Sequence, residues 1–304
     1  TVQMLPEVAK LAEHVTVFQR TPNYVLPAVQ KEMTPEWEKE IKDNYEEIIL
    51  KRRNHSFGMP FNSPVNRNLA DTPSDEVQAI LEEHWPVGSF RFVFETFDDL
   101  LGNAESNKVV GDFVIKKMKE RVNDPKVAEM LTPKYSFFAK RPPLDHDYYE
   151  AYNRDNVKLV DIKDQEPIVE ITESGIRTSK NNYDLDIIIQ ATGFQAYTGG
   201  QEALNIRGRN GLSIREKWQD VSGSIMGVFV AEFPNLFMIT GPQAPFANLP
   251  TSIEENISYI MSCIKKMEAE GFDVCSPIQE AEDEWVAHTA DIHGQTIMAQ
   301  GDKV

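Results

Sequence analysis

Val15-Thr16-Val17-Phe18-Gln19-Arg20-Thr21-Pro22 is the stretch that decides how this chain is read. Its first five residues are β-branched, aromatic or amphipathic, the composition of a short half-buried strand, and Pro22 stops it. Ahead of it Val2, Leu5, Val8, Ala9 and Ala12 recur at helical spacing. A helix running into a strand is the second half of a βαβ unit. No lead-in strand or N-cap precedes Thr1. The expectation is an α/β chain met part-way through a Rossmann-like unit, a fragment cut just after a phosphate-binding turn.

Working outward, the texture changes between residues 33 and 140. Thr34-Pro35 opens a helix by cap and first-turn proline, with Trp37, Ile41, Tyr45, Ile48 and Ile49 on its apolar side. After a loop rich in Asn, Pro and Gly, helices are predicted over Ser74–Trp85 and Lys108–Val122, with a short one from Asp124-Pro125. The β texture then returns. Val157–Val160 reads as a strand, Pro167–Thr172 with Gly175–Thr178 as a hairpin, and Tyr183–Gln190 as the strongest strand of all, ending in Ala191-Thr192-Gly193-Phe194. Further strands are predicted at Ile225–Val230 and Leu236–Thr240. Gly241-Pro242 and a proline-rich loop then lead to a helix over about Ser252–Glu268, capped by Thr251 or Ser252 with Glu254 or Glu255 completing a capping box. Its predicted buried face is Ile253, Ile257, Ile260, Met261 and Ile264. A last helical stretch, Glu280–Met298, carries Trp285.

Composition narrows the function classes. The 304 residues carry a net charge of −17, and no Lys/Arg cluster dominates a face, which argues against nucleic acid as a partner. No apolar run approaches the roughly 18–20 residues that span a bilayer. The two cysteines, Cys263 and Cys275, form no metal or redox pattern, and Cys263 reads as a buried reduced thiol. The histidines show no ligand spacing, so no metal is expected.

Three places suit chemistry. Arg20-Thr21 follows the second strand of the nucleotide-binding unit, where an arginine fits a 2′-phosphate and an acidic residue would fit a 2′-hydroxyl. The plainer reading is a solvated arginine at a strand end. Lys140-Arg141, before two prolines, is a basic pair on a stiff segment. It suits an anion or a charge developing during reaction, or else it is a solvated linker. The strand–loop–helix from Phe233 to Asn256 aims a helix N-terminus at one point, as needed to hold an electron-rich group, and is otherwise an ordinary connection. Gly193 permits positive φ or close backbone approach.

Together these segments resemble the flavin-containing Baeyer–Villiger monooxygenases of the cyclohexanone and phenylacetone type. The resemblance rests on six stretches in order: Val17–Tyr24, Lys140-Arg141-Pro142, Tyr148–Val157, Asp184–Phe194, Ile206–Gly211 and Gly241–Glu255. It implies an incomplete, three-layer, two-dinucleotide-binding-domain flavoprotein with a helical insertion. Residues 1–32 and 141–192 would be a partial NADPH-binding domain, 33–140 the insertion, and 193–304 the C-terminal part of the FAD-binding domain. By the same resemblance Arg20, Thr21 and Lys140 bind NADPH, and Arg141 stabilises the negatively charged flavin peroxide and then its ketone adduct. Ala191, Thr192 and Gly193 form the crossing between domains, beside cofactor. Asn248 and Leu249 lie at the cofactor, and Phe246, Ala247 and Leu249 line the substrate pocket. The implied cofactors are FAD and NADPH, the implied partners a ketone and O2, and the implied compartment the cytoplasm. The family's glycine-rich turns, histidine motif and active-site aspartate would lie upstream of Thr1, and its NADPH-covering loop beyond Val304. An N- or S-oxidising flavin monooxygenase and a non-catalytic nucleotide-binding remnant are the competing readings.

Overall fold

A computed structural model describes residues 1–193, 195, 198–245 and 247–299. In chain order the first elements are α1 (Leu5–Leu11), β1 (Val15–Gln19), β2 (Leu26–Pro27), α2 (Pro35–Asp43) and α3 (Tyr45–Asn54). Next come α4 (Ser74–His84), α5 (Arg91–Phe94), α6 (Ala104–Lys119), α7 (Pro125–Met130), β3 (Leu144–Asp145), α8 (Tyr148–Ala151) and β4 (Val157–Asp161). The remainder comprises β5 (Ile168–Thr172), β6 (Gly175–Thr178), β7 (Asn182–Asp184), α9 (Gly199–Ala203), α10 (Ile214–Lys217), α11 (Leu249–Glu270) and α12 (Gln279–Gly294).

The chain divides into two compact units. The first is Thr1–Glu32, Asn62–Ala191 and Gln295–Val304; the second is Met33–Phe61 and Thr192–Gly294. The helical stretch 33–140 is therefore shared, with its first part belonging to the second unit.

In the first unit β1 pairs in parallel with β4, from Val15 opposite Val157 to Gln19 opposite Asp161. Parallel neighbours need a crossover, and here the whole helical stretch of the unit supplies it. β2 pairs in parallel with β3, and β5, β6 and β7 form an antiparallel meander. The core gathers Leu5, Val25, Met118, Leu131, Tyr148, Tyr149, Tyr152 and Leu159. An ionic knot built on the buried Asp145 lies beside it. Arg121 pairs with Asp145 at 2.5 Å and with Glu150 at 2.5 Å, and stands over the Tyr149 ring. Helix starts follow local chemistry: Asn103 accepts from the Glu105 and Ser106 N–H groups, and Asp124 from Lys126 N–H. Because Asn103 is the cap, α6 begins four residues before the predicted Lys108.

The second unit has a small core of Ile214, Trp218, Val230, Phe233 and Met238. Ser213 and Glu216 make a complete capping box on α10. Thr34 caps α2 by accepting from Trp37 N–H at 3.2 Å, as predicted, but the helix breaks at Asn44 and resumes as α3, and neither helix buries a residue.

The structure departs from several of the sequence expectations. Tyr183–Gln190 is strand only as far as Asp184; beyond it Ile187 is 76% exposed and no ladder partner faces the run among the described residues. Leu236–Thr240 is irregular, with left-handed backbone at Asn235 and Thr240. Its polar groups go elsewhere: Thr240 N–H donates to Asn256 Oδ1 and Met238 N–H to Val228 O. Ile225–Val230 is a tight turn closed by one bridge, Ile225 to Phe229, through left-handed Met226 and Gly227. α11 starts at Leu249, with Pro250 in its first turn, so Thr251 and Ser252 are inside the helix and cap nothing. Ile257 and Met261, predicted buried, are exposed, and Cys263 is half-buried and in no disulfide.

Candidate functional site

The carboxyl end of a parallel strand is where open α/β sheets present ligands. β1 reaches that end at Gln19, whose Nε2 donates to Met130 O at 2.9 Å while its carbonyl accepts from Ile162 N–H at 3.0 Å. The backbone then bends at Arg20, which is exposed, and Thr21, which is half-buried. Two residues on, Asn23 ties this bend to the basic pair. Asn23 Nδ2 donates to Arg141 O at 3.1 Å, and its Oδ1 accepts from the Tyr135 hydroxyl at 2.6 Å. The Tyr24 hydroxyl donates to Tyr135 O at 2.9 Å. Lys140 Nζ stands over the Tyr135 ring at 5.7 Å, and the Arg141 guanidinium over Phe90 at 5.4 Å.

The structure thus joins the Arg20-Thr21 and Lys140-Arg141 segments, more than a hundred residues apart in sequence, through one tyrosine–asparagine frame. Among the described residues neither Arg20 nor Arg141 pairs with a carboxylate, although the chain holds 48 acidic residues against 31 basic ones. Both guanidiniums are exposed. Two permanent cations left to solvent on a braced backbone suit an anionic ligand. The frame itself stays neutral. Burial, with help from Asp112, pushes the Tyr24 phenol up to about 12, and burial followed by the Tyr24 charge pushes Tyr135 up as well. A cleft of 440 Å³ lies at the opposite, amino ends of β1 and β4, lined by His14, Lys158, Asn182 and Tyr183 among others. None of the predicted site residues borders it.

In the second unit the loop after Gly241 is clamped through its backbone. Gly241 N–H donates to Gly227 O at 2.9 Å, Ser224 Oγ donates to Pro242 O, and Trp285 Nε1–H donates to Gln243 O at 3.2 Å. Gly227 sits at φ +74°, where an added Cβ would lie 2.5 Å from the Ala244 Cβ. Phe246 lies outside the described residues. Ala247 and Asn248 are half-buried, and Leu249 is exposed. Asn248 occupies the cap position of α11, yet its side chain caps nothing. Instead Asn248 N–H donates to Phe57 O at 2.8 Å and Nδ2 to Gly58 O at 3.1 Å. The sequence reading missed this partner turn. Gly58 was visible only as one glycine of a loop.

Ala191, Thr192 and Gly193 are exposed and irregular, and the boundary between the two units falls between Ala191 and Thr192. Gly193 has φ +83° with open space around its Cα, so its need is conformational rather than steric. Phe194 is outside the described residues. Among those described, no cluster of His, Cys, Asp or Glu could hold a metal, and no helix is long and apolar enough to cross a membrane.

No family profile matches the chain. Individual proteins do. A Baeyer–Villiger monooxygenase from Pseudooceanicola batsensis is 39% identical over 99% of this chain and 55% of its own length. A phenazine N-monooxygenase from Lysobacter antibioticus is 36% identical over 97% of this chain and 54% of its own. The crystal structure of OTEMO in complex with FAD and NADP superposes with a TM-score of 0.95 at 36% identity, across 99% of this chain and 56% of that one. The chain spans about half the length of the curated relatives it matches.

Proposed function

The chain belongs to the flavin-containing Baeyer–Villiger monooxygenase family, and on that premise we propose that it carries the nucleotide-phosphate and oxyanion-stabilising residues of an NADPH- and FAD-dependent ketone monooxygenase of the cytoplasm. The reaction would insert one oxygen atom from O2 beside a ketone carbonyl, giving an ester or lactone. The observation carrying this reading is the pair of exposed arginines, Arg20 and Arg141, without a carboxylate partner among the described residues and set on one braced frame.

In this reading Arg20 and Thr21 receive the 2′-phosphate of NADPH, with Lys140 as a further cation toward it. The guanidinium supplies fork-shaped donors and a charge that no accessible pH removes. Arg141 offers the permanent cation beside the reacting carbonyl, where negative charge develops. Its guanidinium carbon lies 5.4 Å from the Phe90 ring centroid, a cation–π contact that helps to hold the group in place. Ala247 and Leu249, with Phe246, border the ketone, and Asn248 sets their backbone. Ala191, Thr192 and Gly193 are the crossing, with residues 1–32 and 141–192 on the NADPH side, 33–140 inserted, and 193–304 on the FAD side. When bound, FAD supplies the oxygen-transfer chemistry and NADPH its reducing equivalents. The chain contains no Gly-x-Gly-x-x-Gly turn, so its own residues fit a 2′-phosphate and not a dinucleotide pyrophosphate.

The test uses the natural gene product that carries this sequence. Incubation with NADPH, 18O2 and a panel of cyclic and open-chain ketones is expected to give an ester or lactone bearing one labelled oxygen. Arg141→Ala should lower that rate by about 10²–10³-fold, the range for removing one oxyanion donor. Arg20→Ala should cost about 10–100-fold in preference for NADP+ over NAD+. Absence of labelled product from every ketone would overturn the reading. The similarity to a phenazine N-monooxygenase makes a heteroaromatic N-oxide the second outcome to assay.

A further inference from the structure

The start of α11 is held in an unusual way. Of its 22 residues only Thr251 is buried, and what buries it is the turn at Gly58. The Thr251 hydroxyl donates to Gly58 O at 3.0 Å, the same carbonyl that accepts from Asn248 Nδ2 at 3.1 Å. The preceding carbonyl, Phe57 O, accepts the Asn248 N–H at 2.8 Å. Gly58 is in the left-handed region at φ +63°, and a Cβ there would sit 3.0 Å from the Thr251 Cβ and 3.2 Å from its Cγ2. Two ion pairs run alongside, Arg52 with Glu254 at 2.5 Å and Arg53 with Glu255 at 3.0 Å. The Arg53–Glu255 pair is largely exposed and adds little by itself, whereas the Arg52 side chain is only 18% exposed.

These contacts converge on three consecutive residues. The Phe57 bond fixes the Ala247–Asn248 peptide plane, and the Gly58 bonds fix the Asn248 side chain and the first helical turn that starts with Leu249. Asn248 gives up the usual role of its position, accepting from helix N–H groups, in order to be held from outside. We propose that Gly58 and Thr251 are positioning residues: they set the Ala247–Leu249 corner and so decide which face and which flank of a bound ketone is oxidised. The idea rests on the functional reading above. A corner displaced by about 1 Å changes the geometry of attack without touching the charges that promote it, and misplacement on that scale costs on the order of 10²-fold in reactivity. Discrimination between two flanks of one substrate is the quantity most exposed to such a shift.

The experiment again uses the natural gene product, loaded with its cofactors, and a racemic 2-substituted cyclic ketone. The ratio of the regioisomeric and enantiomeric lactones is a per-turnover property, independent of the fraction of protein folded. Thr251→Val keeps shape and removes the hydroxyl; it is expected to move the ratio by about five-fold, the equivalent of one net hydrogen bond. Thr251→Ser should restore the ratio, and Gly58→Ala should move it in the same direction as Thr251→Val, by at least as much. An unaltered ratio in Thr251→Val and Gly58→Ala preparations that still make lactone overturns the proposal and leaves the functional reading standing. Absence of lactone from the unmodified protein overturns the functional reading itself, and this one with it.

Discussion

β1 and the run Leu185–Gln190 lie in the same unit and carry similar side chains, yet they are held in opposite ways. β1 is paired along its whole length with β4 and packs Val15 and Val17 against the core that contains Leu159. The second run is richer in isoleucine, but past Leu185 N–H, which donates to Ser174 O at 2.9 Å, it enters no ladder among the described residues. Its isoleucines are exposed. The difference teaches that composition supplies the willingness to be a strand, while a neighbour and a face to bury supply the strand.

The comparison would break most visibly in hydrogen exchange. Amides of Val17 and Gln19, which face β4, should exchange on the order of 10³-fold more slowly than those of Ile187 to Gln190, since the first open only with the unit and the second are open already. Equal protection would mean the run is paired in solution. Next in size is a pair of truncations followed by urea unfolding. Leu159→Ala should cost about 3 kcal/mol, as for a buried leucine, and Ile187→Ala no more than about 0.5 kcal/mol.

Alkaline unfolding sharpens the contrast on the polar side of β1. The folded chain keeps the Tyr24 proton up to about 12, whereas an unfolded phenol releases it near 10.0. That contribution is whole below pH 10 and fades as pH rises toward 12. The melting temperature should therefore drop across that window, and Tyr24→Phe should flatten the drop; an unchanged slope would remove Tyr24 from the frame. The smallest effect expected is from Asn23→Ala, about 1 kcal/mol by thermal melting. It should be accompanied by a weaker preference for NADP+ over NAD+ in binding titrations, because Arg20 and Arg141 would no longer share a brace.

What could be read in the sequence follows the same division. Helix starts marked by a cap, at Thr34-Pro35 and Asp124-Pro125, were legible because the signal and the hydrogen bond belong to adjacent residues. So were β1, β4 and the β5–β6 hairpin, whose apolar patterns coincide with real neighbours. Leu236–Thr240 and Tyr183–Gln190 were misread since nothing in an apolar run states whether a partner strand exists. The basic segments at Arg20 and Lys140 could be named singly. Their connection could not, because it runs through Asn23 and Tyr135, two residues with no pattern of their own. The same holds for Gly58, which meets Thr251 across 193 positions.

That anchoring has a mechanical consequence. With a rise of 1.5 Å per residue, the 22-residue α11 is about 33 Å long. Its start is held by Gly58, Arg52 and Arg53, and just past its end Asn235 bonds Asp273 O and the Cys275 backbone. The helix is a beam held at both ends. A tilt of about 5° at Leu249 would ask the Gly271 end to move through about 3 Å, so the hold at each end limits movement at the other.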